Sequence, residues 1–245
     1  MLSKNELKYI QSLCQKKQRT AERLFLAEGV KLAAELLDAG YPVKKIYAVE
    51  EWEAPVTSVP VTRIPLFELE KISSLQTPNQ VLLIAEQQEP AGEPVLKNNF
   101  TLVLDGIQDP GNLGTIIRIA DWFGINQVIA SKDTAELYNP KVIQATMGSF
   151  LRVKTWYRDL ETILAQKQVP VYGALLNGKS MYSIESVKEG ILVIGNESKG
   201  IRETVLPLIN QAITIPRMGK AESLNAAVAT GILLSQLKSP QHNLT

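Results

Sequence analysis

The sequence predicts an α/β protein in two parts, a small N-terminal α/β domain and a larger C-terminal domain built on a parallel sheet. Three observations support this. Several strand-length runs (LVL at 102–104, VYGALL at 171–176, ILVIG at 191–195) are apolar continuously and not alternately, the pattern of strands covered on both faces. Helix-period segments alternate with them, as parallel pairing through crossover helices requires. Between the two parts, QQEPAGEPVLKNN carries two prolines and a glycine but few apolar side chains, the composition of a linker. The expected boundaries are 1–88 for the first domain, 89–99 for the linker and 100–245 for the second domain.

In the first part, a helix is expected over 3–17, with Ser3 as its cap and Glu6 three residues on in capping-box spacing. A strand at 24–27 leads into a helix at 30–39, stopped by Gly40. Strands at 45–49 and 60–64, a helix at 66–73 and a strand at 81–86 complete it. In the second part, strands are expected at 101–105, 127–130, 152–156, 169–175, 191–195 and 212–216. Helices at 113–123, 140–147, 159–166, 201–208 and 224–237 fit between them.

The 245 residues, 45% of them hydrophobic, suffice for a substantial core. Twenty-six basic and 25 acidic side chains leave net charge uninformative, but residues 1–31 hold seven basic groups against three acidic ones. Lys16, Lys17, Arg19 and Arg23 of that excess are candidates to hold a phosphate backbone. The same residues fit the solvated face of a surface helix equally well. A single cysteine, Cys14, excludes a disulfide within the chain and fits a reducing compartment. The start, MLSKNELKYIQSL, has no signal-peptide core, and no apolar run approaches the ~20 residues of a membrane span. A cytoplasmic protein with no membrane partner is expected.

In open parallel sheets, ligands bind beyond the carboxyl ends of the strands. Three strand ends here run into loops rich in Gly, Asn, Ser or charge and then into a helix. In the first, Asp105 to Arg118, Asp109-Pro110-Gly111-Asn112 is turn chemistry, Gly114 permits a close backbone approach, and Arg118 follows one helical turn later. The second is Ile194-Gly195-Asn196-Glu197-Ser198-Lys199-Gly200, which also reads as a tight turn with Ser198 as a cap. The third runs from Ile215 to Asn225, where Ser223 is placed to cap the last helix and Asn225 falls in its first turn. Each also fits an ordinary structural loop, Arg118 being then a surface arginine paired to a carboxylate. Neither the G-x-G-x-x-G fingerprint nor a phosphate-cradling G-x-x-x-x-G-K-[ST] loop occurs, which disfavours a nucleotide-dependent oxidoreductase or ligase.

Together and in this order, N-L-G-T-I-I-R (Asn112 to Arg118), I-G-N-E-S-K-G (Ile194 to Gly200) and I-P-R-M-G-K-A-E-S-L-N-A-A-V-A-T-G (Ile215 to Gly231) closely resemble the SPOUT superfamily, specifically its SpoU/TrmH family of RNA ribose methyltransferases. The resemblance covers about residues 100–238. The N-terminal part resembles the RNA substrate-binding domain often fused to this family, itself similar to a ribosomal protein, through R-L-F-L-A-E-G (Arg23 to Gly29). What the resemblance implies is a trefoil-knotted C-terminal domain, a homodimer formed through it, and S-adenosyl-L-methionine as cofactor. It places cofactor contacts at Ala174, Leu175, Asn177, Gly195, Ile215 and Leu224, and functional side chains at Asn112, Arg118, Glu197, Ser223 and Asn225. Arg217 stands where the family often has an apolar residue.

The implied reaction is methylation of a ribose 2′-hydroxyl in RNA, preferentially ribosomal RNA of the large subunit. Transfer RNA, or a non-catalytic RNA-binding assembly factor on the same fold, are the alternatives. The residue inventory agrees with direct transfer. The only histidine, His242, sits in a polar tail, a poor place for a general base. Cys14 lies in the other domain, against a cysteine-nucleophile mechanism. No metal is expected.

Overall fold

The computed structural model describes residues 1–239; His242 lies outside them. In chain order the elements are α1 (Lys4–Ser12), α2 (Lys16–Glu22), β1 (Leu24–Glu28), α3 (Val30–Asp38), β2 (Val43–Ala48), β3 (Val61–Arg63), α4 (Leu66–Ile72) and β4 (Val81–Glu86). They continue with β5 (Phe100–Asp105), α5 (Pro110–Trp122), β6 (Gln127–Ala130), α6 (Pro140–Thr146), β7 (Lys154–Tyr157) and α7 (Leu160–Ala165). Last come β8 (Val171–Ser180), β9 (Gly190–Gly195), β10 (Gln211–Thr214) and α8 (Ala226–Leu237). The chain divides into two compact units. One is Met1–Glu89 with Glu136–Leu151; the other is Pro90–Ala135 with the residues from Arg152 onward.

The first unit is built on a four-stranded sheet, order β1-β4-β2-β3, in which β4 runs antiparallel to β1 and β2 while β2 and β3 are parallel. Ser3 caps α1 as expected, its Oγ accepting from the Glu6 N–H. The capping box is only half made, because the Glu6 carboxylate accepts instead from Lys45 Nζ at 2.6 Å and the Tyr47 hydroxyl at 2.7 Å. The single helix expected over 3–17 is two helices. The Arg19 guanidinium explains the break: from α2 it donates to the carbonyls of Leu13 and Cys14, which end the first helix.

Glu136–Leu151 belongs to this unit although its helix was expected among the crossovers of the second domain. Phe25 of β1 stacks 4.7 Å from the Tyr138 ring, Phe150 meets Phe25 edge-on, and Val142 and Ile143 are fully buried. Periodicity gives a helix its apolar stripe; it does not name the sheet that covers it.

The second unit holds six strands in the order β10-β8-β9-β5-β6-β7, every adjacent pair parallel. Its central strands bury both faces: Val103, Ile129, Val171, Ile191 and Val193 share one core with Leu160 and Leu164 of α7. The runs at 102–104 and 191–195 thus have the cause inferred for them, whereas in 171–176 only the first half does, since Leu176 is exposed. The helix expected over 201–208 is absent except for a 3₁₀ turn at Leu206–Leu208. There the Arg202 N–H and side chain are committed to Asp105, and Pro207 has no N–H to give a helix. Among the described residues no helix is long and apolar enough to cross a membrane, and no three metal-ligating side chains cluster.

Candidate active site

The loop after β5 turns at Gly106 (φ +70°) and enters α5 through Asp109, whose carboxylate caps the helix by accepting from the Asn112 N–H at 2.7 Å. Pro110 at the first helical position needs no N–H partner. The helix therefore starts three residues earlier than expected. Asn112 lies in its first turn, and Arg118 two turns along, not one.

Asn112 joins the three motif loops. Its Nδ2 donates to Glu197 Oε1 at 2.6 Å, and its Oδ1 accepts from Asn225 Nδ2 at 2.8 Å. The orientation of both amides is set by chemistry at the two ends of this chain. A carboxylate can only accept, so it faces the Asn112 NH₂. Asn225 caps α8, its Oδ1 accepting from the N–H groups of Ala227 and Val228, which leaves its NH₂ to face Asn112.

The cap of α8 is thus Asn225 and not Ser223, which is exposed in the loop ahead of the helix and takes no part in the chain. The carboxamide reaches two N–H groups of the first turn, whereas Ser223 lies two residues too early. Arg118 is exposed. Among the described residues it has no hydrogen-bond or ion-pair partner, so the carboxylate-paired surface arginine is not what the structure shows.

The loop 195–200 closes on itself through reciprocal backbone bonds between Asn196 and Gly200. The Asn196 side chain, not Ser198, organises it: Oδ1 accepts from the N–H groups of Ser198 and Lys199, and Nδ2 donates to the Gly106 carbonyl. Just beyond, Arg202 donates from its N–H and Nε to the two oxygens of Asp105, and from Nη2 to Asp133. Hydrogen bonds from Ser131 and then Arg202, opposed by partial burial, hold the Asp133 carboxyl below the usual carboxylate range. Asp105 and Asn196 stand in the quoted loops without a role assigned to them, and Asp133 and Arg202 went unmarked, although an acid closing an otherwise apolar strand implies a cationic partner.

The residues implied for S-adenosyl-L-methionine fit such a group. The register between β8 and β10 jumps from Gly173↔Ala212 to Lys179↔Ile213, so residues 174–178 leave that ladder. Their main chain, with Leu175 half-buried and the Leu176 carbonyl accepting from Thr214 Oγ1, lies beside the approach to Ile215. Gly195 has no room for a side chain: a Cβ there would collide with the Gly200 backbone. Ala174, Leu175, Asn177, Gly195 and Ile215 would hold the group mainly through their main chain. Leu224 is about half exposed in the loop before α8, with no polar contact of its own.

Of the basic residues proposed to meet RNA, Lys16 and Lys17 are exposed, and Arg23 makes an exposed 3.3 Å pair with Glu89. Arg19 is a correction. It is 1% exposed, bonded to Leu13, Cys14 and both carboxylate oxygens of Glu136, and offers nothing to a phosphate.

Residues 99–235 match the family model described as the SpoU rRNA Methylase family, and residues 4–83 match the MRM3-like substrate binding domain. The chain is 33% identical over 230 residues to the 23S rRNA (guanosine(2553)-2′-O)-methyltransferase RlmP of Bacillus subtilis (strain 168), covering 91% of this chain and 92% of that one. A structure from Porphyromonas gingivalis assigned to the TrmH family of RNA methyltransferases superposes with a TM-score of 0.85 at 38% identity, covering 97% and 98% of the two chains. An AdoMet-bound rRNA methyltransferase from Sinorhizobium meliloti gives a TM-score of 0.85 at 29% identity, covering 100% and 97%. The protein belongs to the SpoU rRNA methylase family and carries an MRM3-like substrate-binding domain at its N-terminal end.

Proposed function

We propose that the protein transfers a methyl group from S-adenosyl-L-methionine to a ribose 2′-hydroxyl of 23S-type ribosomal RNA. The observation that carries this reading is the Glu197–Asn112–Asn225 chain, which ties three loops together at the start of the helix that carries Arg118, an exposed arginine without a partner among the described residues. Similarity to a 23S rRNA enzyme over nine-tenths of both chains supports the substrate class.

When bound, the cofactor supplies an electrophilic methyl on a sulfonium, so no covalent enzyme intermediate is required. The protein's work is to orient the ribose oxygen and assist loss of its proton. A guanidinium stays protonated in proteins and is no base. Arg118 instead binds the phosphate beside the target ribose with its planar fork and stabilises the oxyanion as it forms, the proton passing to phosphate or water. Asn112, fixed from both sides, orients the ribose; Glu197 and Asn225 hold it there, and Ser223 meets the substrate from the exposed side of the third loop. Ala174, Leu175, Asn177, Gly195, Ile215 and Leu224 hold the cofactor.

Residues 1–88 supply RNA affinity through Lys16, Lys17 and Arg23, 89–99 link, and 100–245 catalyse. Membership of the SpoU rRNA methylase family over residues 99–235 supports a trefoil knot in that domain. Large apolar side chains left exposed on α5 (Trp122) and α8 (Val228) support a homodimer, and the rRNA substrate supports a cytoplasmic location. Mapping 2′-O-methyl sites in total RNA with and without the gene tests the function. Loss of one site in 23S-type rRNA is expected, and an unchanged map would overturn the reading.

A further inference from the structure

Asp105 ends β5 at 2% exposure, and a carboxylate so placed is costly unless both oxygens are engaged. Arg202 alone engages both, through its main-chain N–H at 2.8 Å and its Nε at 2.5 Å. The far edge of the same guanidinium reaches Asp133 in the loop after β6 at 2.9 Å. Three chain segments, the ends of β5 and β6 and the exit of the 195–200 loop, thus meet on one side chain.

Gly106 lies at contact distance from the clasp. A Cβ at Gly106 would stand 3.4 Å from Asp133 Oδ2 and 3.9 Å from Arg202 Nη2, at a φ that already disfavours a side chain. On its other side Gly106 accepts from Asn196 Nδ2 through its carbonyl, and its N–H donates to Ser131 Oγ. Glu197 sits between these two anchors, Asn196 before it and Arg202 after it, and it is Glu197 that receives the Asn112 amide.

We infer that Arg202 is a positioning residue, clasping Asp105 and Asp133 so that the 195–200 loop presents Glu197 to Asn112. Its catalytic consequence rests on the methyltransfer reading above. Arg202 touches no reacting atom. It acts through Glu197, and Asn112 is the group it ultimately orients.

The test uses the full-length, ¹⁵N-labelled protein and reads the Asn112 side-chain amide, assigned by its loss in Asn112→Asp, beside single-turnover methyl transfer at saturating RNA and cofactor. Arg202→Ala is expected to move that amide resonance to the position of a solvent-exposed asparagine and to lower the rate about tenfold or more. Arg202→Lys, which keeps the charge but cannot span both carboxylates, is expected to recover only part of either. Because Arg202→Ala strands a buried carboxylate, the double variant Asp105→Asn/Arg202→Gln removes both charges together. Asp133→Ala, at a half-exposed site, is expected to cost a few-fold in rate with a partial shift of the resonance. A wild-type Asn112 resonance in the folded double variant and in Asp133→Ala would overturn the inference. Absence of methyl transfer by the wild-type protein would overturn the functional reading alone, since the resonance still decides the positioning role.

Discussion

The helix that carries Arg19 and the helix that carries Arg118 hold their guanidinium groups in opposite conditions. Arg19, on α2, is buried and spends its donors on two carbonyls and the Glu136 carboxylate. Arg118, on α5, is exposed, with no partner among the described residues, although Asn112 on the same helix is held on both sides. In the first unit an arginine terminates one helix and fixes a distant segment. In the second, the neighbours are satisfied and the arginine is left over. A cation without a partner among the described residues is available to an anion from outside, and that difference is the ground for reading Arg19 as structural and proposing Arg118 as the functional arginine.

The largest expected effect probes the free member of the pair. Arg118→Ala should lower single-turnover methyl transfer roughly a hundredfold or more, comparable to deleting a charge-stabilising donor in other enzymes. Cofactor affinity by calorimetry should stay within a few-fold of wild type, because the cofactor contacts proposed at Gly195 and Ile215 are made by backbone. Arg118→Lys should remain slow if the planar fork matters. Near-wild-type turnover in Arg118→Ala would remove it from the mechanism and erase the contrast.

Arg19→Met should act on stability. Removing one partner of a buried pair typically costs about 3–5 kcal/mol, here by leaving Glu136 and two helix-end carbonyls unsatisfied. Thermal melts should show the loss, while the salt dependence of RNA binding by the folded protein stays at its wild-type slope. Lys16→Ala/Lys17→Ala should do the reverse. Stability changes little, and the slope of log affinity against log salt falls by about one unit for each phosphate that the variant no longer neutralises. Equal slopes in that variant and wild type would reduce these lysines to a solvated face.

These contrasts also mark what was legible in the sequence. The parallel sheet was readable because burial on both faces leaves continuous apolar runs at β5, β9 and the first half of β8. The motif loops were readable because Gly, Asn and Pro have few other reasons to follow such strands. Arg19 was misread because composition reports that a charge exists and not whether another segment, 117 residues away in sequence, answers it. Ser223 was misread as the cap because Ser and Asn compete for that role within three residues, and only the path of the loop decides. The Asp105–Arg202–Asp133 clasp joins residues nearly a hundred positions apart, beyond the reach of any local pattern. The same holds for helix α6, whose apolar face is plain in sequence while its covering sheet is not.

The smallest expected effect lies in a third kind of ionic contact, exposed enough for solvent to screen it. Glu6 accepts from Lys45 and Tyr47, and those two hydrogen bonds hold its carboxyl below the ordinary value of 4.5. Burial first, and then Glu6 itself, push the Tyr47 hydroxyl up to about 12, so it remains a donor throughout the acid and neutral range. A carboxyl whose folded pKa is depressed adds stability that is fully present above its unfolded pKa and is lost as pH falls through the folded one. The gap in stability between wild type and Glu6→Gln should therefore be constant from pH 7 down to about 5 and shrink below 4.5. Its size should stay under about 1 kcal/mol, because the Lys45 and Glu6 side chains retain 36% and 28% of their exposure. Urea titrations across that range would read it directly. A gap that persisted undiminished at pH 3 would mean that Glu6 contributes through the geometry of its hydrogen bonds with Lys45 and Tyr47 and not through a charge lost in that range, and would place it closer to Arg19 than its exposure suggests.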